Sequence, residues 1–136
     1  MKVNLPPRTP RSPREPKDLL TELIIACAIE VHRILGPGLL ESIYEEALCH
    51  EFRIRGIAFE RQKEIDVIYK NKVIKGQRLD LVVEQQVIVE IKATKILNEI
   101  YSAQTLSYLK STGLKRALLI NFSASKLVSG VKRISL

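Results

Sequence analysis

The chain has 136 residues, of which 46% are hydrophobic and 27% are charged, and its formal net charge is +7. This length suits one domain that buries roughly two thirds of its unfolded surface, and the composition excludes a chain disordered throughout. The longest strongly apolar run, residues 23–29, is too short to cross a bilayer, and no hydrophobic signal segment follows the basic N-terminus. We therefore expect a cytoplasmic protein without membrane association, in which Cys27 and Cys49 are reduced core thiols.

Residues 1–17 carry five basic residues and one acidic residue, and they contain five of the six prolines. This composition predicts a basic, Pro-rich arm that is extended or disordered, followed by a single domain over residues 18–136. Residues 115–136 carry five basic residues and no acidic residue, so both ends of the chain are basic. Such segments can bind phosphate backbones through counterion release; the alternative is that they only aid solubility.

Two helices are predicted first. Asp18 is a suitable N-cap for a helix that continues to about Leu35, where Gly36-Pro37-Gly38 ends it. A second helix should end at Gly56. Its apolar residues recur at spacings of three and four, namely Leu40, Ile43, Tyr44, Ala47, Leu48 and Phe52.

The next part of the chain has strand character over residues 57–69, 73–83 and 87–93, with Asn71-Lys72 as a turn, and we expect these strands to form a meander. A third helix over residues 96–111 and a short apolar strand over 115–122 follow, whereas residues 123–136 are ambiguous. The order α-α-β-β-β-α-β predicts an α/β domain built on one mixed sheet with helices on its faces.

The stretch from Gln77 to Ala93 carries the strongest functional signal. Glu90 and Lys92 are two residues apart in a predicted strand, so their side chains share a face of the sheet. Asp80 would be their neighbour on the preceding strand, and like charges facing each other favour a bound cation such as Mg²⁺. The alternative is that these three residues line a solvated strand face with an exposed salt bridge.

Loop length decides between register alternatives. If residues 84–86 form a three-residue loop, Val83 faces Val87 and Asp80 lies directly opposite Glu90. A two-residue loop would shift the register by one residue and turn Glu90 to the opposite face. The predicted site therefore depends on the length of this loop.

The element order, together with Asp80 and Glu90-Ile91-Lys92, resembles the PD-(D/E)XK nuclease superfamily. Its core is αβββαβ, with a metal site on the second and third strands, so the first helix here would be an extra N-terminal helix. Residues 38–44, reading G-L-L-E-S-I-Y, are similar to the motif of the GxxExxY family of small bacterial proteins. One departure is Leu79, which stands where the superfamily has its proline. The resemblance covers about residues 18–130.

The resemblance implies roles for individual residues. Asp80 and Glu90 would hold a Mg²⁺ or Mn²⁺ ion, with Glu41 as a third carboxylate and Ile91 contributing its carbonyl oxygen. Lys92 would orient or stabilise the attacking water and the charge that develops on the phosphate, which makes Asp80, Glu90 and Lys92 the expected catalytic residues.

A second group is implied on the helices. Gln104 and Tyr108 resemble the Q-x₃-Y element of RecB-type nucleases, which contacts the nucleic acid; without the resemblance, Tyr108 would be interpreted as core. Glu45 lies one turn after Glu41 and is either a helper or part of a solvated helix face. His32 could reach the site, although a lone histidine is more often structural.

The leading hypothesis is a Mg²⁺- or Mn²⁺-dependent nuclease that hydrolyses phosphodiester bonds of DNA. The main alternative is a non-catalytic nucleic-acid-binding or adaptor module that retains the nuclease fold. An enzyme acting on RNA would use the same chemistry, and the sequence contains no recognisable reader of the 2′-hydroxyl group.

Overall fold

The computed structural model describes residues 18–136, and the predicted arm of residues 1–17 lies outside the described residues. No helix in residues 18–136 is long and apolar enough to cross a membrane. The elements in chain order are α1 (Leu19–Leu35), α2 (Glu41–Ile54), β1 (Phe59–Tyr69), β2 (Lys72–Val83), β3 (Val87–Lys92), α3 (Ile100–Thr112), β4 (Arg116–Asn121), a 3₁₀ turn (Leu127–Gly130) and β5 (Val131–Ser135).

The five strands form one mixed sheet in the order β1-β2-β3-β4-β5. Neighbouring strands are antiparallel except for β3 and β4, which are parallel because α3 provides the crossover between them. The predicted α/β architecture and the meander of three strands are confirmed. The ambiguous C-terminal stretch contains β5, which pairs with β4 and makes β4 an inner strand.

Local side-chain chemistry fixes two helix starts. The Asp18 carboxylate accepts a hydrogen bond of 3.1 Å from the Thr21 N–H, which confirms the predicted N-cap of α1. The third helix begins at Ile100 and not at residue 96. The Asn98 side chain accepts from the Ile100 N–H, and the Thr94 hydroxyl donates to the Ile96 carbonyl, so short polar side chains hold residues 94–98 in a non-helical loop.

The two hairpin loops differ in how well they were predicted. The first turn is Lys70-Asn71, one residue earlier than expected, because both residues adopt the positive φ of a type I′ turn, 48° and 69°. The second loop has the three residues 84–86, and Val83 pairs with Val87 as this length requires.

The core forms on both faces of the sheet. The α1 and α2 side contains alternate residues of the central strands, and the α3 side contains the residues between them. Buried side chains facing α1 and α2 include Leu81, Val83, Val87, Val89 and Ile91, whereas Val82 and Ile88 pack with Tyr108 and Leu109 of α3. Residues at the centre of this sheet are therefore fixed by packing on both sides.

Candidate active site

The sheet is interrupted at Asp80. The residue pairs between β2 and β3 run from Val83 and Val87 at the loop to Leu81 and Val89, and they stop one pair short of Asp80 and Glu90. On its other side, the pairs between β1 and β2 omit Gln62 and Asp80, and Gln62 has a positive φ of 52°. Asp80 thus lies outside the residue pairs of both neighbouring ladders, at the point where β2 and β3 separate.

Two carboxylates take over the hydrogen bonds there. The Asp80 N–H donates to Glu90 Oε2 over 2.9 Å, and the Ile91 N–H donates to Asp80 Oδ2 over 2.8 Å. Each side chain therefore replaces a main-chain carbonyl of the opposite strand, and the two acidic groups are held side by side. This is the neighbourhood that a three-residue loop predicts.

The pair lies in a poorly hydrated environment. Burial raises the pKa of Glu90 to about 8, with the nearby Asp80 charge adding to the rise. Burial also raises the pKa of Asp80, and the charges of Glu45 and Glu41 act in the same direction. Neither Asp80 nor Glu90 takes part in the salt bridges of residues 18–136. Two adjacent carboxylates without an ion-pair partner are a donor set that suits a divalent cation.

Lys92 is the positive group beside this pair. Its charge opposes the rise that burial causes in the pKa of both carboxyl groups. Its Nζ lies 4.3 Å from the ring centroid of Tyr101 on α3, a cation–π contact that orients the ammonium group. Tyr101 was not predicted, although it lies three and seven residues before Gln104 and Tyr108 and therefore on the same helical face.

The end of β3 is tied to β4. The Lys92 carbonyl accepts a hydrogen bond of 2.8 Å from the Phe122 N–H. The buried Asn121 side chain accepts from the Thr94 N–H and donates to the Thr94 carbonyl, at 3.1 and 3.0 Å. These bonds fix the main chain on both sides of Ala93, directly after Lys92.

Glu41 is the first residue of α2 and is exposed. Its charge contributes to the raised pKa of Asp80. However, no group of three or more acidic, histidine or cysteine side chains within residues 18–136 is arranged to hold a metal ion. The structure therefore brings Asp80 and Glu90 into direct contact and leaves Glu41 outside this pair. The Ile91 side chain is buried in the core, and its N–H is bound to Asp80.

Comparison with known proteins gives a family. A family model of the PD-(D/E)XK nuclease superfamily matches residues 18–134. The chain belongs to this superfamily. Membership suggests a metal-dependent, nuclease-like function on a nucleic-acid substrate, and superfamily members generally use divalent metals such as Mg²⁺. No curated protein and no solved structure matches the chain.

Leu79 directly precedes Asp80, where the resemblance to the superfamily would place a proline. Its side chain is fully buried and packs on the α3 side of the sheet with Ile65 and Tyr108. The position thus serves packing next to Asp80, and the replacement of proline removes no metal ligand.

Glu45, the possible helper, is bound by other residues. It is 7% exposed, which excludes a solvated helix face. Its carboxylate accepts a hydrogen bond of 2.7 Å from Arg61 Nε and bonds of 3.0 and 3.2 Å from the Gln62 amide. Glu45 therefore holds Gln62, the residue of β1 at the level of Asp80.

Tyr108 lies beside the acidic pair from the α3 side. Burial raises the pKa of its hydroxyl, and the charges of Glu90 and Asp80 add to the rise, whereas a hydrogen bond with Gln104 lowers it. The Tyr108 ring packs in the core, and Gln104 on the preceding turn is exposed. Gln104 and Tyr108 thus link the acidic pair to the exposed surface of α3.

His32 has a structural environment. Its Nε2 lies 2.8 Å from the Ala124 carbonyl oxygen, and its ring is tilted against Phe122 at a centroid distance of 6.4 Å. These contacts join α1 to the loop after β4.

Proposed function

We propose that the chain is a Mg²⁺- or Mn²⁺-dependent nuclease that hydrolyses phosphodiester bonds of DNA, and that it belongs to the GxxExxY family within the superfamily. The observation that carries the proposal is the Asp80–Glu90 pair. Glu90 is buried and Asp80 is half-buried, neither has a salt-bridge partner in residues 18–136, and both stand at positions that resemble the superfamily motif. A divalent ion would stabilise the ionised form of the pair, which burial disfavours.

Asp80 and Glu90 would hold the ion, with the Ile91 carbonyl and Glu41 as further ligands. A bound divalent ion would supply Lewis acidity and lower the pKa of a coordinated water. The hydrogen bonds from the Asp80 and Ile91 N–H groups leave the second oxygen of each carboxylate for this task and fix its direction.

Lys92 would donate hydrogen bonds to the attacking water or to a phosphate oxygen, and its charge would stabilise the negative charge that develops in the transition state. Its contact with Tyr101 limits the ammonium group to one side of the site. Gln104 and Tyr108 would bind the nucleic-acid strand. Positioning and electrostatics would supply most of the rate enhancement.

The test is cleavage of labelled single-stranded DNA, duplex DNA and RNA with Mg²⁺ or Mn²⁺. We expect Glu90→Ala and Lys92→Ala each to lower the rate at least about 100-fold, because each removes a charge at the reacting phosphate. Glu64→Ala and Lys110→Ala change exposed residues of the same types and should cleave like the wild type. Absence of cleavage with every metal and substrate would refute the proposal.

A non-catalytic nucleic-acid-binding or adaptor module is a second candidate. One observation favours it: within residues 18–136 no third acidic, histidine or cysteine side chain joins Asp80 and Glu90 in a metal-binding group. Such a module should bind DNA in the absence of metal and be indifferent to Glu90→Ala, whereas a nuclease should lose heat of Mn²⁺ binding in that variant. Isothermal titration of both proteins with Mn²⁺ and with DNA distinguishes the two.

A further inference from the structure

The first hairpin extends beyond the rest of the sheet. Strand β2 pairs with β3 only through residues 81–83, so its earlier residues pair with β1 alone. We call residues 66–76, the outer part of this two-stranded ribbon, the hairpin arm. Every residue of the arm except Val67 is exposed. The arm is therefore a surface feature whose side chains do not support the core.

The hairpin arm is basic. It contains Lys70, Lys72 and Lys75 against Asp66, which forms a salt bridge of 2.9 Å with Lys75. Lys70 and Lys72 take no part in the salt bridges of residues 18–136, and the Lys70 Nζ lies 5.5 Å from the ring centroid of Tyr69. The tip thus presents positive charge together with an aromatic ring that is 60% exposed.

The shape of the arm suits a nucleic acid. A type I′ turn joins its strands and matches their twist, so the ribbon needs little ordering when it binds. A two-stranded β-ribbon fits the major groove of B-DNA, and lysines on such a ribbon can contact the phosphates that border the groove. Charge complementarity therefore favours a polyanion over a neutral partner.

The arm is continuous with the candidate active site. Strand β2 runs from Lys72 at the turn to Asp80 at the acidic pair. At about 3.3 Å per residue, Lys75 lies roughly 17 Å and Lys72 roughly 26 Å along the strand from Asp80. One strand of a duplex advances about 3.4 Å per nucleotide, so these distances correspond to about five to eight nucleotides.

We propose that the hairpin arm is a nucleic-acid-binding element that contacts the phosphate backbone about five to eight nucleotides to one side of the bond to be cleaved. The inference rests on the proposed function in taking a nucleic acid as the ligand. It assigns positioning of the nucleic acid to Lys70, Lys72 and Lys75.

The test compares the triple variant K70Q/K72Q/K75Q with R33Q/R53Q/K110Q, which removes the same charge from exposed basic residues on the three helices. Binding of a labelled duplex of about 30 base pairs is measured by fluorescence anisotropy in EDTA at several salt concentrations. We expect the arm variant to bind at least about tenfold more weakly and its log K to depend on log salt with a slope smaller by about two to three. The control should differ less than about threefold from the wild type.

Two results would overturn the inference. One is an arm variant that binds as the wild type does, or no more weakly than the control. The other is a concentration-dependent dimer that is abolished by Ile68→Ser, which replaces an exposed apolar residue of the arm, because the arm would then bind a second copy of the chain. Cleavage is assayed separately with Mg²⁺ and Mn²⁺. If the wild type cleaves nothing while the arm variant loses binding, the proposed nuclease activity alone is refuted. If the wild type cleaves and the arm variant binds DNA normally, the proposed role of the arm alone is refuted.

Discussion

The hydroxyl of Tyr44 donates a hydrogen bond of 2.5 Å to the carbonyl oxygen of Gly36, and it accepts one of 3.1 Å from the Leu39 N–H. Tyr44 is fully buried, and its ring stacks on Phe122 at a centroid distance of 4.6 Å. The tyrosine of the G-x₂-E-x₂-Y pattern therefore clamps the loop between α1 and α2. That loop leads directly into Glu41, so the tyrosine fixes the main chain that presents the glutamate.

Tyr44→Phe should lower the free energy of unfolding by about 1 to 2 kcal/mol, because it leaves the Gly36 carbonyl and the Leu39 N–H without this partner. Urea denaturation followed by circular dichroism measures the change. Tyr69→Phe, at a position that is 60% exposed, should leave the stability unchanged. An unfolding midpoint for Tyr44→Phe equal to that of the wild type would show that the clamp does not stabilise the fold.

Glu90→Gln should stabilise the metal-free protein by on the order of 1 kcal/mol. Burial raises the pKa of Glu90 to about 8, so folding at neutral pH must protonate this carboxyl; a glutamine cannot ionise and avoids that cost, and its side-chain oxygen can still accept from the Asp80 N–H. With Mn²⁺ at about 100 times its Kd, the wild type should gain about 2.7 kcal/mol, a gain that the variant loses. Thermal unfolding in EDTA and in Mn²⁺ measures both effects, with Glu64→Gln as the exposed control. Stabilisation of Glu90→Gln by Mn²⁺ to the wild-type extent would exclude Glu90 as a ligand.

Arg61→Met should destabilise the protein by about 2 to 4 kcal/mol, because it leaves the buried Glu45 carboxylate without its ionic partner. The double variant Arg61→Met with Glu45→Leu should recover much of this loss, since neither charge of this ion pair then remains. Lys63→Met breaks an exposed pair with Glu60 and should change stability by less than about 1 kcal/mol. Chemical denaturation of the wild type and the three variants measures these differences. Equal losses of stability in Arg61→Met and Lys63→Met would contradict the prediction.

Cys27 and Cys49 should resist alkylation in the folded protein. Both are buried free thiols, and burial raises the pKa of Cys49 to about 11 and the pKa of Cys27 above its usual value. Iodoacetamide at pH 8 should therefore label the native protein far more slowly than protein unfolded in guanidinium, as mass spectrometry would detect. An added exposed thiol, Ser125→Cys, provides the reactive control. Labelling of Cys49 at the rate of this control would mean that its part of the core opens readily.

Much of the architecture followed from local patterns. The N-cap at Asp18, the amphipathic period of α2 and the alternation around Glu90 each depend on residues a few positions apart. The start of α3 and the turn at Lys70-Asn71 were misjudged by four residues and by one. In both places the outcome depended on side-chain hydrogen bonds or on backbone conformations that several sequences can adopt.

The sequence by itself determined that Asp80 and Glu90 would be neighbours if their hairpin had a three-residue loop, because the period of two in a strand fixes which side chains meet; the structure decided the loop length. Only the tertiary structure decided what surrounds them. It interrupts both ladders at Asp80. It also joins residues that are far apart in the chain: Arg61 binds Glu45, Tyr101 contacts Lys92, and β5 pairs with β4. Such contacts follow from how helices and strands pack around a shared core, and periodicity along one segment carries no information about its distant partner.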